Sequence, residues 1–122
     1  MKTNSDGARA MTALNNGEIL FYGVVGEEFD NFTAEQVINQ IDALGDVSEV
    51  FIRVNSVGGI VSHGAAILSY IRGHKARFTM QVDGVAVSMA SAILMVADRV
   101  IMPSFSNIMI HNPTNVVWGD AR

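Results

Sequence analysis

The fold of this chain is decided by residues 78–97, which read FTMQVDGVAVSMASAILMVA. Apolar and polar residues alternate from Phe78 to Val82, and this period of two predicts a strand. The run from Ser88 to Ala97 is mostly apolar and predicts a helix. A serine therefore stands at the point where a predicted strand gives way to a predicted helix.

The same succession of strands and helices continues on both sides of this stretch. Strands are predicted over Glu18–Val25, Glu49–Val54, Arg99–Met102 and Asn107–Ile110, and helices from the capping-box pattern at Thr33 to Gly45 and along the stripe of Val61, Ala65, Leu68 and Ile71. Residues 55–59 are predicted to end the second strand. Strands that alternate with helices pair in parallel, which predicts an α/β fold. Sites in such sheets collect at the carboxyl ends of the strands.

Composition and charge restrict the class of protein. The chain has 122 residues, 49% hydrophobic and 16% charged, and we expect one domain over residues 18–122 after a flexible segment over residues 1–17. The net charge of −4 includes no basic cluster, so no nucleic-acid partner is expected. The longest apolar stretch, residues 89–97, is too short to span a bilayer, and residues 1–17 lack the apolar core of a signal peptide. We therefore expect a cytoplasmic protein with no membrane partner.

Three separated pieces of the chain carry the groups that acyl transfer requires. Ser88 supplies a hydroxyl nucleophile, His111 a base, and the Gly58-Gly59 pair a turn whose backbone N–H groups can face an anion. Taken alone, Ser88 fits a helix N-cap better than a nucleophile, and His111 fits a half-buried structural histidine. The glycine pair fits a tight turn equally well.

Other chemistries are less well supplied. His63 is a second candidate base, because it follows the glycine pair closely, whereas His74 is typical of a helix C-terminus. The chain has no cysteine, and its histidines lack metal-ligand spacing, so no metal is expected. Neither a P-loop nor Gly-x-Gly-x-x-Gly occurs, so no nucleotide or other cofactor is expected.

In register, the three pieces resemble the ClpP-type serine peptidases. Residues 55–59, NSVGG, resemble the family's Asn-Ser-Pro-Gly-Gly oxyanion loop, with valine in place of proline. Residues 84–91, GVAVSMAS, resemble its nucleophile segment, and residues 109–113, MIHNP, its base segment. The resemblance implies the repeated ββα spiral core that ClpP and crotonase-like proteins share, here cut short before the long handle helix.

The resemblance also implies roles for individual residues. Ser88 would be the nucleophile and His111 the general base, with the N–H groups of Gly59 and Met89 as the oxyanion hole. A peptide or protein substrate would lie extended and add a strand beside the segment that holds Gly58, Ile60 and Val61. Subunits of this family form homo-oligomeric rings.

Within the family, the chain is similar to the head-maturation proteases of phages and prophages. The similar segments are Val82-Asp83-Gly84, His111-Asn112-Pro113 and Trp118-Gly119-Asp120-Ala121. This branch implies cleavage of capsid or scaffold protein in a bacterial or phage-infected cell, without a required ATPase partner.

The resemblance is incomplete at the C-terminus. The third member of the family's triad, an aspartate, lies beyond the handle helix, whereas this sequence ends at Arg122. Asp120 aligns with the start of the handle and is not assigned that role. Loss of the orienting carboxylate lowers turnover about 10⁴-fold, so we expect the 122-residue chain to be weak or inactive.

Three other interpretations remain open. A crotonase-like acyl-CoA enzyme would share the two-amide oxyanion hole but would need carboxylates near the glycine pair. A Ser–Lys peptidase would need a lysine at the site, and the chain offers only Lys2 and Lys75. A catalytically inactive, ring-forming structural subunit would retain the Ser–His pair without using it.

Overall fold

The structure is a computed structural model that describes residues 18–26 and 32–110. The elements within these residues are β1 (Ile19–Val25), α1 (Ala34–Ala43), β2 (Glu49–Gly59), α2 (Val61–Gly73), β3 (Arg77–Val87), α3 (Met89–Leu94), β4 (Arg99–Ile101) and β5 (Asn107–Met109). Neither the segment over residues 1–17 nor residues 111–122 of the expected domain lies within the described residues.

The strands form one sheet, and the neighbouring strands of the described residues all pair in parallel, as the alternation of strands and helices predicts. The strand order is β1-β2-β3-β4, and β5 also pairs with β3. The two short strands share one edge of β3: β4 pairs with Thr79–Gln81, and β5 pairs with Val85–Val87. Because β5 lies beside the end of β3, it borders the turn that holds Ser88.

The core lies on one face of the sheet. Alternate residues of the three long strands are buried there against the helices, including Ile19, Phe21, Val50, Ile52, Val54, Phe78, Met80 and Val82 from the strands and Val37, Ile41, Ile67, Ile71, Ile93 and Leu94 from the helices. Burial of each large aliphatic side chain contributes about 2 kcal/mol, so this face supplies most of the stability. Side chains between the buried ones point to the opposite face.

β2 and β3 extend further than predicted, whereas the other three strands are each one residue shorter and the third helix is also shorter. β2 runs through residues 55–59 because its end pairs with β1, Val24 with Gly58 and Val25 with Gly59. The six-residue α3 ends at Leu94 rather than Ala97. Shortly after it, the N–H of Asp98 donates to Phe78 and the Asp98 carboxylate accepts from the Phe78 N–H. These two bonds hold the chain at the beginning of β3 and end the helix.

The predicted apolar stripe of α2 is wrong by one position over most of its length. The helix buries Gly64, Ile67 and Ile71, whereas Val61 is 59% exposed and Ala65 is also exposed. Ile67, and not Leu68, is fully buried in the core. At Gly64 the helix backbone lies directly against Met89 of α3, where a side chain would not fit. No helix in residues 18–26 and 32–110 has the length and apolar character needed to cross a membrane.

The predicted capping box at the start of α1 is confirmed. Thr33 Oγ1 accepts a hydrogen bond from the Gln36 N–H (3.2 Å), and the Gln36 side chain accepts one from the Thr33 N–H (3.0 Å). These bonds satisfy two donors that would otherwise have no partner at the helix end.

Substitution of Thr33 by alanine should lower the free energy of unfolding by about 1 kcal/mol, because the cap acceptor is lost. Thr33→Ser keeps a hydroxyl at this position and should retain most of that stability. Urea unfolding of the two variants measures the difference. Equal destabilisation by both would show that the hydroxyl cap does not stabilise this turn.

Candidate active site

Ser88 occupies a strained turn between β3 and α3. Its φ of 58° and ψ of −121° lie where few residues other than glycine are found. Within the described residues, it is the one non-glycine residue with positive φ. Such strain costs about 1–3 kcal/mol and persists only where neighbouring bonds fix the backbone. A strained strand-to-helix turn also exposes the serine hydroxyl in hydrolases of other folds.

Hydrogen bonds on both sides of Ser88 hold this conformation. The Ser88 N–H donates to the Met109 carbonyl at the end of β5 (2.9 Å). The Ser88 carbonyl accepts from the Ser91 hydroxyl (2.5 Å) and from the N–H groups of Ser91 (2.9 Å) and Ala92 (3.2 Å). The peptide groups before and after Cα are therefore both fixed.

The interpretation of Ser88 as an ordinary helix cap is wrong. Ser88 is at the N-cap position of α3, but its side chain makes no capping hydrogen bond. A capping serine has an extended backbone conformation, which the positive φ of Ser88 excludes. Stabilisation of the helix therefore does not account for a serine at this position.

The end of β2 and the Ser88 turn lie in direct contact, as expected for two segments that follow neighbouring parallel strands. A β-carbon added at Gly58 would lie 2.7 Å from the Val87 carbonyl oxygen and 3.0 Å from both Ser88 Cβ and Met89 N. Gly58 also has a φ of 92°. Glycine is therefore required here for both backbone conformation and space.

The two glycines of the pair differ in their bonds. The Gly58 N–H donates to the buried Ser56 hydroxyl (3.1 Å) and is already engaged. Gly59 lies against β1, where an added β-carbon would come within 2.2 Å of the Val25 carbonyl oxygen. That carbonyl accepts the Ile60 N–H (2.9 Å). The end of β1 thus holds the backbone of the pair from the side opposite Ser88.

Met89 begins α3, so its N–H has no acceptor within the helix. This nitrogen lies close to Gly58, as the 3.0 Å distance from the added β-carbon shows. A backbone nitrogen with no acceptor in its own helix therefore lies next to both the strained serine and the glycine pair.

A bulge in β3 directs the chain toward the turn. Val54 pairs with Val82, but Ser56 pairs with Ala86, so Asn55 alone stands opposite residues 83–85. The Asn55 side-chain oxygen accepts the Val85 N–H (3.1 Å) and replaces a backbone acceptor. Bulges of this kind bend a strand and redirect the residues that follow, here toward Ser88.

The proposed peptide-binding residues Ile60 and Val61 lie at the start of α2. Their side chains are 41% and 59% exposed. The Ile60 N–H already donates to β1, and Val61 is helical. Neither residue therefore offers a free strand edge for a peptide, because the Ile60 N–H is engaged and Val61 is helical. Their apolar side chains remain accessible to a substrate.

The histidines fall in three different places. His63 Nδ1 accepts the Ala34 N–H (3.0 Å), which ties α2 to the start of α1. His74 is the C-cap residue of α2, as expected, and its Nδ1 accepts the Ala76 N–H (3.0 Å). His111 and Asp120 lie outside the described residues. Both described histidines therefore have structural partners on their Nδ1 atoms.

Asp83 is the carboxylate nearest to Ser88 along β3, but it has partners on the outer face of the sheet. Its oxygens accept from Arg53 (2.9 Å), Gln81 (3.1 Å) and the Tyr22 hydroxyl, and Arg53 also bonds Glu18 (3.0 Å). Burial, followed by the bond to Asp83, raises the pKa of Tyr22 to about 12. We define these residues, Glu18, Tyr22, Arg53, Gln81 and Asp83, as the outer-face network.

Two alternatives can be compared with the described residues. Lys75 pairs with Asp46 (2.6 Å) just before β3 begins, roughly 30 Å along that strand from Ser88. The first turn of α2, which follows the glycine pair, carries no acidic residue, whereas a crotonase-like enzyme would need carboxylates near that pair. Within the described residues, no group of three His, Asp or Glu residues could hold a metal ion.

Sequence reasoning assigned no role to three side chains that shape the turn. Asn55 bonds a backbone N–H in the bulge of β3, Ser56 one at the end of β2, and Ser91 the Ser88 carbonyl. All three belong to the motifs quoted above. Their signal in the sequence was that each is a polar residue within a strand or a mostly apolar helix. Such residues bond backbone where regular ladders are interrupted.

The chain is similar in sequence to known proteins. The family model described as Clp protease matches residues 3–122. The chain is 32% identical over 126 aligned residues to ATP-dependent Clp protease proteolytic subunit 2 of Treponema denticola, an alignment that covers 98% of this chain and 60% of that protein. It is 31% identical over 103 residues to the chloroplastic ATP-dependent Clp protease proteolytic subunit 3 of Arabidopsis thaliana, covering 80% of this chain and 33% of that protein. The chain thus spans between a third and three fifths of these relatives.

Gly58→Ala should be destabilising by about 2 kcal/mol more than Gly45→Ala. Both glycines have positive φ, 92° and 78°, so both variants acquire a backbone cost of about 1 kcal/mol. Only at Gly58 does the new methyl group collide with the Ser88 turn, since nothing lies within 4 Å at Gly45. Urea unfolding measures both values, and equal costs would contradict the close contact.

The pKa of Tyr22 should make the outer-face network sensitive to alkali. Its folded value of about 12 exceeds the usual 10, so the folded state favours the protonated phenol. This contribution to stability is complete below pH 10 and is lost as the pH rises toward 12. Tyrosinate absorbance of Tyr70→Phe, which leaves Tyr22 as the one tyrosine of the chain, measures the midpoint. A midpoint near 10 in the folded protein would contradict the network.

Proposed function

Because this chain belongs to the Clp protease family, we propose that it is a serine endopeptidase in which Ser88 attacks the peptide carbonyl and His111 is the general base. The main support is the strained turn at Ser88. The Ser88 hydroxyl does not cap α3, and the backbone of the turn lies against Gly58. A strained backbone conformation lowers stability and is found mainly at functional sites, which supports a functional role for the Ser88 hydroxyl.

The chemistry proceeds in two steps. Ser88 Oγ bonds to the carbonyl carbon while His111 takes the hydroxyl proton, and the carbonyl oxygen becomes an oxyanion. His111 then gives the proton to the leaving amine, the C–N bond breaks, and water hydrolyses the acyl-enzyme by the same route. In the sequence, His111 follows Met109 by two residues, and the Met109 carbonyl accepts the Ser88 N–H. This bond supports the pairing of the two segments.

The N–H groups of Gly59 and Met89 are the proposed oxyanion donors. Two features support this choice: the Gly58 N–H is engaged by Ser56, and the Met89 N–H has no acceptor within α3. Each such donor contributes about 3 kcal/mol to stabilisation of the transition state. A peptide substrate would contact the exposed side chains of Ile60 and Val61.

The biological setting of the proposal is a homo-oligomeric ring in the bacterial cytoplasm that processes capsid or scaffold protein. Its support is the resemblance of residues 82–84 to the phage and prophage branch. The two relatives are named as ATP-dependent proteolytic subunits, which suggests an ATPase-dependent protease as the other setting. Cleavage of a capsid protein without a Clp ATPase would support the phage setting, and cleavage only with the ATPase would support the other.

A fluorophosphonate probe should label the wild-type chain, and Ser88→Ala should abolish the label. Phosphonylation requires an activated serine and oxyanion donors, so it reports on the site directly. Ser69→Ala is the matched control, because Ser69 is an exposed serine of α2 and far from the motifs along the chain. His111→Ala should lower the labelling rate by about 10²-fold or more, since the base is removed.

Labelling that survives Ser88→Ala would sink the assignment of the nucleophile. An unreactive serine at the position of Ser88 in a full-length, ring-forming homologue would favour the structural subunit. Labelling unchanged by His111→Ala would assign the base elsewhere. Thioester binding in a calorimeter would instead support the acyl-CoA alternative.

A further inference from the structure

Gly64 is a buried glycine in the first turns of α2. Its N–H donates to the Ile60 carbonyl (3.1 Å), so its backbone is helical. Glycine is less favourable than alanine in the interior of a helix, because it loses more backbone freedom on folding. The helical conformation therefore does not explain a glycine here. The explanation lies instead in the contact that Gly64 makes with a neighbouring helix.

The contact is with the side chain of Met89. A β-carbon added at Gly64 would lie 2.1 Å from Met89 Cγ, 2.9 Å from Sδ and 2.7 Å from Cε. The whole methionine side chain thus lies over the bare backbone of Gly64. Since Cγ is only two bonds from Cα, movement of the thioether end alone would not remove the overlap.

Met89 is consequently held at two points by one continuous segment of chain. Gly58 lies against its backbone nitrogen, and Gly64 lies against its side chain. The same residue follows Ser88 directly and carries a proposed oxyanion donor. The distance between Gly58 and Gly64 is fixed by the start of α2, so that helix sets where the Met89 amide lies.

We propose that Gly64 is a positioning residue for the oxyanion hole: its missing side chain seats Met89 on α2 and thereby holds the Met89 N–H at its catalytic position. The inference rests on the proposed function for its catalytic consequence. Gly64 touches no substrate and acts only through Met89. A displacement of about 1 Å in such a group reduces reactivity by about 10²-fold.

The test compares Gly64→Ala with Gly73→Ala. Both glycines belong to α2, but nothing lies within 4 Å of a β-carbon added at Gly73. Both variants replace a helical glycine by alanine, which favours the helix, and only the one at position 64 places a methyl group against Met89. We expect the limiting rate of fluorophosphonate labelling to fall about 10²-fold in Gly64→Ala with little change in the probe concentration at half-saturation, and to stay within twofold of wild type in Gly73→Ala.

The double variant Gly64→Ala/Met89→Ala separates positioning from general damage. Truncation of Met89 removes the overlapping atoms but keeps the backbone N–H. We expect Gly64→Ala to slow labelling much less in the Met89→Ala background than in the wild-type background. If Gly64→Ala does not fold, recovery of folding in the double variant supports the contact, and failure to recover overturns it.

A structural readout keeps this inference distinct from the proposed function. In ¹⁵N–¹H spectra, Gly64→Ala should shift the amide resonances of Ser88 and Met89, whereas Gly73→Ala should leave both in place. If wild type is not labelled, the proposed function fails while the shifts still decide whether Gly64 positions Met89. Unmoved amides, or unchanged labelling in Gly64→Ala because Met89 adopts another rotamer, would overturn the inference.

Discussion

The close approach of β2 to the turn after β3 is the constraint on which the site depends. Gly58 lies so near residues 87–89 that a single methyl group would not fit between them. Parallel neighbouring strands bring their ends to one edge, and the absence of side chains lets the two backbones touch. Ser56 and Asn55 then bond the backbone groups that this irregular contact leaves outside the regular ladder. The polar residues of β2 thus complete a backbone arrangement that the glycines make possible.

The sheet is unusual in that its core is confined to one face. Parallel sheets are generally covered on both faces and read as continuous apolar runs. Here β2 alternates strictly between buried and less buried positions, and β3 does so except over residues 83–85, where the bulge lies. Arg53 and Asp83 of the outer-face network pair across the opposite side. The charged pair satisfies groups that would otherwise be costly to bury and leaves the apolar residues concentrated on the helical side.

Much of the fold was predictable because its signals are local. The capping box of α1 and the order of strands and helices follow from short patterns, and both are confirmed. The ends of the elements were not predictable, because they depend on partners distant in sequence. Residues 55–59 look like a turn by composition, yet pairing with β1 extends the strand through Gly59. The α2 stripe was wrong for a similar reason, since Gly64 is buried by Met89 and not by its own hydrophobicity.

The residues of the site were predictable from the sequence, but the backbone conformation of Ser88 and the hydrogen bonds that hold it were not. Motif order placed Ser88 beside the glycine pair, and the contact at Gly58 agrees with that placement. The positive φ of Ser88 has no signature in composition, because a serine before a helix is ordinarily a cap. The supporting bonds from Ser91 and Met109 arise only once the strands have paired.

The parallel topology also has a kinetic consequence. Val54 pairs with Val82, Ser56 with Ala86, and Val85 with Asn107, so the site is assembled from segments more than twenty residues apart. Such non-local contacts form late, because the loops between them must close first. The Ser88 turn therefore has no fixed geometry in a nascent or partly folded chain. The proposed nucleophile would therefore acquire its working geometry only after these distant segments have paired, so folding itself would control when the serine can react.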